Sequence, residues 1–263
     1  MNILITGAGS GLGLAAAQYL AERGSLVYAC DLKPPAPAPN LIPLLMDVTR
    51  EDQILAVYEK IRQDGVRLDA LLNVAGIFRM ENFLEIPEET LTQVLDVNLL
   101  GAVRVNKILF PLLNPGSPIL ITTSEVASLD PLPFNSVYSV SKTALDSYAQ
   151  ALRQEAGLLG HPVVTIRPGA FSTPLEKSSL PAMRVMSAHS RYFGGQAERF
   201  GQLMQLFTGK PADPVRYARL VAKILEKKRP AAVYTIHANP GLRLLSLLPK
   251  NAQVGLVRLL LRK

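Results

Sequence analysis

The sequence predicts an α/β fold, a doubly wound and mostly parallel seven-stranded sheet with helices on both faces. Three observations carry this. Seven short apolar runs alternate with amphipathic helical patterns. The runs are apolar throughout, as strands covered on both faces are, and not apolar at every second residue. A glycine-rich turn joins the first run to the first helical pattern. Right-handed crossovers between parallel strands then favour the doubly wound arrangement.

In chain order, Ile3-Leu4-Ile5 is the first strand and residues 11–23 the first helix. Leu26–Ala29 is the second strand, followed by Pro34-Pro35-Ala36-Pro37-Ala38-Pro39, a stiff surface turn too short to separate domains. Leu41–Met46 and Leu68–Leu72 flank a helical pattern at 50–63, and a long one follows at 87–113. Pro118–Thr122 and Pro162–Ile166 flank a helix at 135–158. Residues 172–209 break the alternation with Pro174, Pro181 and Gly194-Gly195. A long insertion after a strand's C-terminal end is where such sheets carry a substrate lid. A helix at 213–228 and the strand Ala231–Ile236 complete one domain over residues 1–241, and residues 242–263 form a separate tail.

Composition narrows the function. The chain has 263 residues, 48% hydrophobic and 19% charged, enough to bury a large core. Its net charge of +7 is unevenly spread: residues 210–263 hold twelve Lys/Arg against two Asp/Glu, and the remainder is slightly acidic. A nucleic-acid reader would carry basic residues across its main fold, so that class is set aside. Cys30 is the single cysteine, which excludes an intrachain disulfide and fits a reducing, cytoplasmic setting. One Cys and three scattered His (His161, His189, His237) make no zinc-type site, and no metal is expected. Neither a secretory signal nor an 18-residue apolar span is found.

The first turn reads Thr6-Gly7-Ala8-Gly9-Ser10-Gly11-Leu12-Gly13. Its glycines permit a tight turn, close approach of the backbone to a pyrophosphate, and close packing of helix on sheet, with the phosphate at the helix N-terminus. G-x-G-x-x-G does not fit, whereas T-G-x-x-x-G-x-G does. Gly7, Gly9, Ser10, Gly11, Leu12 and Gly13 are therefore candidate dinucleotide contacts. Asp31 ends the second strand, eighteen residues after Gly13, where a carboxylate accepts from the hydroxyls of an adenosine ribose.

These residues resemble the short-chain dehydrogenase/reductase family in its ordinary single-domain form. In the family's order follow Asp47-Val48, Asn73-Val74-Ala75-Gly76 (similar to N-N-A-G), Asn98, Ser124, Tyr138-Ser139-Val140-Ser141-Lys142, and Arg167-Pro168-Gly169 with Thr173. The resemblance implies a Rossmann fold. It assigns adenine contacts to Asp47 and Val48, and cofactor contacts to Asn73, Ala75, Gly76, Pro168, Gly169, Phe171 and Thr173. It also implies catalysis by Asn98, Ser124, Tyr138 and Lys142, the last two also touching the cofactor. Asn98 would kink its helix. The family is commonly dimeric or tetrameric, so a homo-oligomer is expected.

Tyr138 and Lys142 stand four apart, hence on one face of a helix. An ammonium beside a phenol lowers its pKa, so Lys142 is expected to tune Tyr138 as a general acid/base. Ser124 is expected to hold the substrate oxygen, with Thr123 as its understudy where the family usually has a second serine. Asp31, the neutral Ser10 and Leu32 favour NAD over NADP, and Lys33 dissents. Phe171, Leu175, Leu180, Met183, Met186, Tyr192 and Phe193 are expected to line an apolar cavity for a hydrophobic alcohol or ketone. Arg184, Arg191 and Arg199 either face solvent or meet the phosphates of a 3-oxoacyl thioester, the alternative substrate. A non-catalytic NAD-binding regulator is the rival outside enzymes. On the last helix Val254, Val257, Leu260 and Leu261 share one face, Arg258 and Arg262 the other. Such a helix either docks on protein or lies at an anionic membrane surface.

Overall fold

The computed structural model describes residues 1–207 and 209–262, the side chains of Leu206 and Phe207 excepted. Thr208, in the expected lid, and Lys263, at the end of the tail, lie outside the described residues. Seven parallel strands form one sheet: β1 (Asn2–Thr6), β2 (Leu26–Asp31), β3 (Leu41–Leu45), β4 (Ala70–Asn73), β5 (Ile119–Thr122), β6 (Val163–Pro168) and β7 (Val233–Ile236). Their spatial order is β3-β2-β1-β4-β5-β6-β7. The chain winds outward in one direction from β1 and in the other from β4, and the crevice at that switch point is where open sheets of this kind bind ligands.

Helices cover both faces. On one lie α1 (Gly11–Glu22) and α9 (Pro214–Leu225); on the other lie α2 (Glu51–Gln63), α4 (Gly101–Leu109) and α5 (Ser136–Leu158). Strand residues sort by parity: Ile3 and Ile5 enter the first core, while Leu4, Tyr28 and Cys30 enter the second. Cys30 is fully buried there, and burial pushes its thiol pKa up, so it behaves as a small hydrophobe.

The helical stripe at 87–113 is not one helix. It comprises α3 (Glu88–Leu95), a π-helical turn (Asp96–Leu100), α4 and a 3₁₀ turn (Phe110–Leu112). The π turn inserts an extra residue at Asn98, a distortion frequent at functional sites. The lid segment forms α6 (Pro174–Lys177), α7 (Ser179–His189) and α8 (Gly194–Phe207). Met183, Met186, Phe200, Met80 and Phe134 build a third core beneath it. The C-terminal segment folds as α10 (Pro240–Ser246) and α11 (Lys250–Leu261). No helix among the described residues is long and apolar enough to cross a membrane.

Candidate active site

A cleft of about 1690 Å³ runs along the C-terminal ends of the strands, from the glycine turn to the C-terminal helices. At one end, Gly7 takes a left-handed backbone (φ +69°), and a Cβ there would stand 2.7 Å from the backbone nitrogen of Ala75. A Cβ on Gly13 would run into the carbonyl oxygen of Gly7. The turn thus closes against β4 and against its own helix in a way no side chain permits. Thr6 locks it: its Oγ1 accepts the N–H groups of Val74 and Ala75, each at 3.1 Å.

Asp31 stands on the cleft wall with Leu32. Its Oδ2 accepts Gly9 N–H and its Oδ1 accepts Lys33 N–H, both at 2.9 Å. A carboxylate oxygen has two lone-pair directions, so each oxygen keeps one for a ligand hydroxyl. Asp47 and Val48 line the same end; Asp47 Oδ1 accepts the backbone and hydroxyl of Thr49. Ser10, Gly11, Leu12, Ala75, Gly76, Pro168, Gly169, Phe171 and Thr173 also line the cleft.

Three expected contacts stand back from the wall. Asn73 donates instead to Asn106 Oδ1 at 2.8 Å, tying β4 to α4. Gly9 serves through its bond to Asp31. Asn98 is buried in the π turn; its Oδ1 accepts Ile77 N–H at 2.7 Å, and its Nδ2 donates to Ile77 O and Ser141 Oγ at 2.9 Å. A Cβ on Gly76 would lie 3.2 Å from Asn98 Oδ1 and 3.3 Å from Lys142 Nζ, so Gly76 keeps this corner open.

Ser124, Tyr138 and Lys142 share the middle of the cleft. Ser124 follows β5 and caps the 3₁₀ turn Glu125–Ser128; Tyr138 and Lys142 lie on α5. Thr123 Oγ1 points away, toward Asp146 Oδ1 at 3.2 Å, so of the two hydroxyls Ser124 is the one beside Tyr138. Burial raises the Tyr138 phenol to about 12, aided by the charge of Glu125 and opposed by a hydrogen bond with Ser124. Burial also lowers Lys142 to about 8. The expected lowering of Tyr138 by Lys142 is therefore corrected. Lys142 Nζ sits 5.9 Å from the ring centroid and donates to Thr122 O at 3.3 Å, and loss of water is the largest influence on the phenol.

Two neighbours of the trio carry no sequence signal of their own. Phe78 stacks edge-on against Tyr138, with centroids 4.9 Å apart. Glu125 is a buried carboxylate on the cleft wall whose Oε2 accepts Asn239 N–H at 2.6 Å, and burial raises its pKa.

The substrate end corrects the lid list. Phe171, Leu175 and Leu180 line the cleft, joined by Phe200, Leu203 and Met204 of α8. Met183 and Met186 instead fill the core under the lid, Phe193 packs on Phe134, and Tyr192 is exposed. Arg184, Arg191 and Arg199 face solvent. The remaining wall comes from the C-terminal helices: Leu242 and Leu245 of α10, and Leu256, Val257, Leu260 and Leu261 of α11. Val254, expected on the docked face, is exposed because Leu256, Val257 and Leu261 occupy it.

A sequence profile of the short chain dehydrogenases matches residues 1–184. Mouse (Mus musculus) estradiol 17-beta-dehydrogenase 2 is 35% identical over 190 residues, 67% of this chain and 49% of that protein. The 3-ketodihydrosphingosine reductase of Bacteroides thetaiotaomicron is 32% identical over 173 residues, 65% of this chain and 64% of that protein. The chain thus spans about half of the first relative and less than two thirds of the second. Among solved structures, a short chain dehydrogenase family protein from Francisella tularensis superposes with a TM-score of 0.76 at 24% identity, covering 89% of this chain and 96% of its own. Thermoplasma acidophilum aldohexose dehydrogenase gives 0.75 at 20% identity, with coverages of 95% and 96%. The arrangement of turn, cleft and α5 and the match over residues 1–184 converge: the chain belongs to the short-chain dehydrogenase family of oxidoreductases.

Proposed function

We propose that this protein transfers hydride between NAD and a hydrophobic alcohol or ketone, with Tyr138 as the proton donor and acceptor. The observation that carries the reading is the single cleft shared by the glycine turn, Asp31, Ser124, Tyr138 and Lys142. The residues fit a dinucleotide. Gly7, Gly11 and Gly13 line the cleft without side chains, and Asp31 keeps an open lone pair on each oxygen. Gly11, Leu12 and the N-terminus of α1 would hold the pyrophosphate, Asp31 the ribose, and Asp47 and Val48 the adenine side. Nicotinamide supplies the hydride chemistry.

The chain supplies position and the proton. Ser124 holds the substrate oxygen beside Tyr138 and donates to it as charge develops there. Tyr138, protonated at neutral pH, delivers its phenolic proton to that oxygen in the reducing direction and takes it back in oxidation. Lys142, cationic below about pH 8, supports the developing phenolate from the same helix face. Asn98 fixes the backbone at Ile77 and orients Ser141, keeping the floor of the site rigid.

NAD is preferred because Asp31 would repel a 2′-phosphate, and Lys33 lies off the cleft wall. An apolar substrate is favoured because the lid and C-terminal helices present Leu180, Phe200, Leu203, Leu245, Val257 and Leu261. The two relatives named above act, by their names, on a steroid and on a long-chain amino ketone, both largely apolar. The thioester alternative loses support, since the three lid arginines are exposed and none of them lines the cleft. The test is initial-rate formation of NADH across steroids, retinol, straight-chain alcohols and 3-hydroxyacyl thioesters. Turnover of the apolar alcohols supports the reading. No turnover of any of them with either cofactor refutes it and leaves the non-catalytic regulator.

A further inference from the structure

The C-terminal helices form a layer with two apolar faces. The inner face lines the cleft through Leu245 and Leu261, among others. Polar ties hold it in place. Asp130, in the loop between Ser124 and Tyr138, pairs with Lys250, accepts from Gln253 Nε2 at 2.7 Å, and donates its N–H to Ser246 Oγ at 3.2 Å. Glu125 accepts Asn239 N–H, and Arg199 Nη1 donates to Arg262 O at 2.5 Å. The outer face is therefore not a helix waiting to fold back onto the body. On it Leu244 is 68% exposed, Leu247 80%, Val254 57% and Leu259 65%.

The charge around this face selects its partner. From residue 240 to 262 the chain has four basic residues, Arg243, Lys250, Arg258 and Arg262, and no Asp or Glu; Lys250 is paired with Asp130, which leaves three arginines on this face. On α11, Lys250, Val254 and Arg258 follow one another at intervals of four and Arg262 caps the helix, so an apolar side chain is set among basic ones. On α10, Arg243 borders Leu247 in the same spacing. Leucines set among basic side chains that can snorkel match the depth at which apolar groups enter acyl chains while cations remain among headgroups. A second copy of this chain fits poorly: a two-fold contact through this face would set its basic row against itself.

We propose that the outer face of α10 and α11 docks on an anionic lipid surface. The same two helices wall the cleft, so docking places the substrate opening at the bilayer, from which a lipid-soluble alcohol or ketone enters; this corollary rests on the reading of the cleft given above. The docking itself does not.

The experiment is co-sedimentation of the full chain with phosphatidylcholine vesicles and with mixed phosphatidylcholine–phosphatidylglycerol vesicles. The wild type should pellet with the mixed vesicles at low salt and lose binding steeply as salt rises, since each basic residue near an anionic surface contributes about fivefold. Partition onto phosphatidylcholine alone should be at least about tenfold weaker. Leu244→Glu/Leu247→Glu should cut binding to the mixed vesicles by at least about tenfold. Both sites are solvent-exposed, and unchanged NADH binding would confirm that this variant is folded. Wild type remaining in the supernatant with mixed vesicles overturns the proposal, as does a double variant that pellets equally well. So does light scattering in which the double variant loses a dimer and neither protein binds vesicles, because a second copy then covers the face. Turnover of a water-soluble alcohol by both proteins separates failure of this proposal from failure of the proposed activity.

Discussion

Replacing Asp31 with alanine should abolish the discrimination between NAD and NADP. The carboxylate already anchors Gly9 and Lys33 N–H at 2.9 Å each, which fixes its position on the wall beside the glycine turn. A 2′-phosphate brings a charge of about −1.5 to −2. At roughly 5 Å, with an effective dielectric of about 40 for a half-open cleft, each unit charge costs roughly 1.7 kcal/mol. The total, roughly 2.5–3.3 kcal/mol, corresponds to about 10²-fold in kcat/KM in favour of NAD. In Asp31→Ala that repulsion vanishes, and hydrogen bonds from ribose hydroxyls to a charged acceptor, worth about 1.5–3 kcal/mol, vanish with it. NAD efficiency should then fall roughly 10- to 100-fold while NADP efficiency holds or rises, which abolishes or inverts the preference. The assay is initial rate against each cofactor at fixed substrate, with circular dichroism to establish that the glycine turn's lost tie has not unfolded the chain. Wild type that uses NADP as well as NAD, or a ratio that survives the substitution, would refute the electrostatic reasoning.

Further outcomes follow from the same site. Lys142→Met should abolish most turnover yet stabilise the cofactor-free protein. Folding lowers this group to about 8, so its burial opposes folding below that pH and the penalty fades as pH rises toward the unfolded value of 10.5. The gain at pH 7 should be roughly 2–3 kcal/mol, read as a higher Tm that shrinks toward pH 10, and a lower Tm at pH 7 would contradict it. With Tyr138 near 12, alcohol oxidation should accelerate as pH rises from 7 to 9 while ketone reduction does not; a flat oxidation profile would mean another group takes the proton. Lys250→Ala/Gln253→Ala removes two of the ties on Asp130 without touching the cleft wall. In the wild type kcat/KM should climb by up to about fourfold per added methylene along a series of 2-alkanols, and in this variant the climb should stop at shorter chains. Identical slopes would show that α11 does not hold the distal wall.

The strands were legible because the central ones, β1, β2, β4, β5 and β6, are buried on both faces and so read as unbroken apolar runs; only their ends moved, as at β4, where pairing with β5 extends through Asn73. The order of motifs along the chain foretold the cleft, since strand ends in this topology converge at the switch point. Other features depend on distant partners. The π turn at Asp96–Leu100 leaves the amphipathic stripe around it intact, so the stripe reads as one helix. Met183 and Met186 look alike whether they face a cavity or pack on Phe134 and Phe200. Glu125 is an ordinary acid in sequence; its burial comes from the arrival of Asn239, 114 residues later. The tail's place in the substrate wall likewise depends on α8 and on the loop carrying Asp130.

The central claim is that Tyr138 moves the proton as hydride is transferred. Tyr138→Phe keeps the ring and its edge contact with Phe78 but has no hydroxyl to lose or regain a proton. Single-turnover measurement of NADH formation from an apolar secondary alcohol, alongside NADH binding by fluorescence, tests this directly. The account predicts unchanged NADH affinity and a rate lower by about 10²–10⁴-fold. A variant retaining more than about a tenth of the wild-type rate would contradict it.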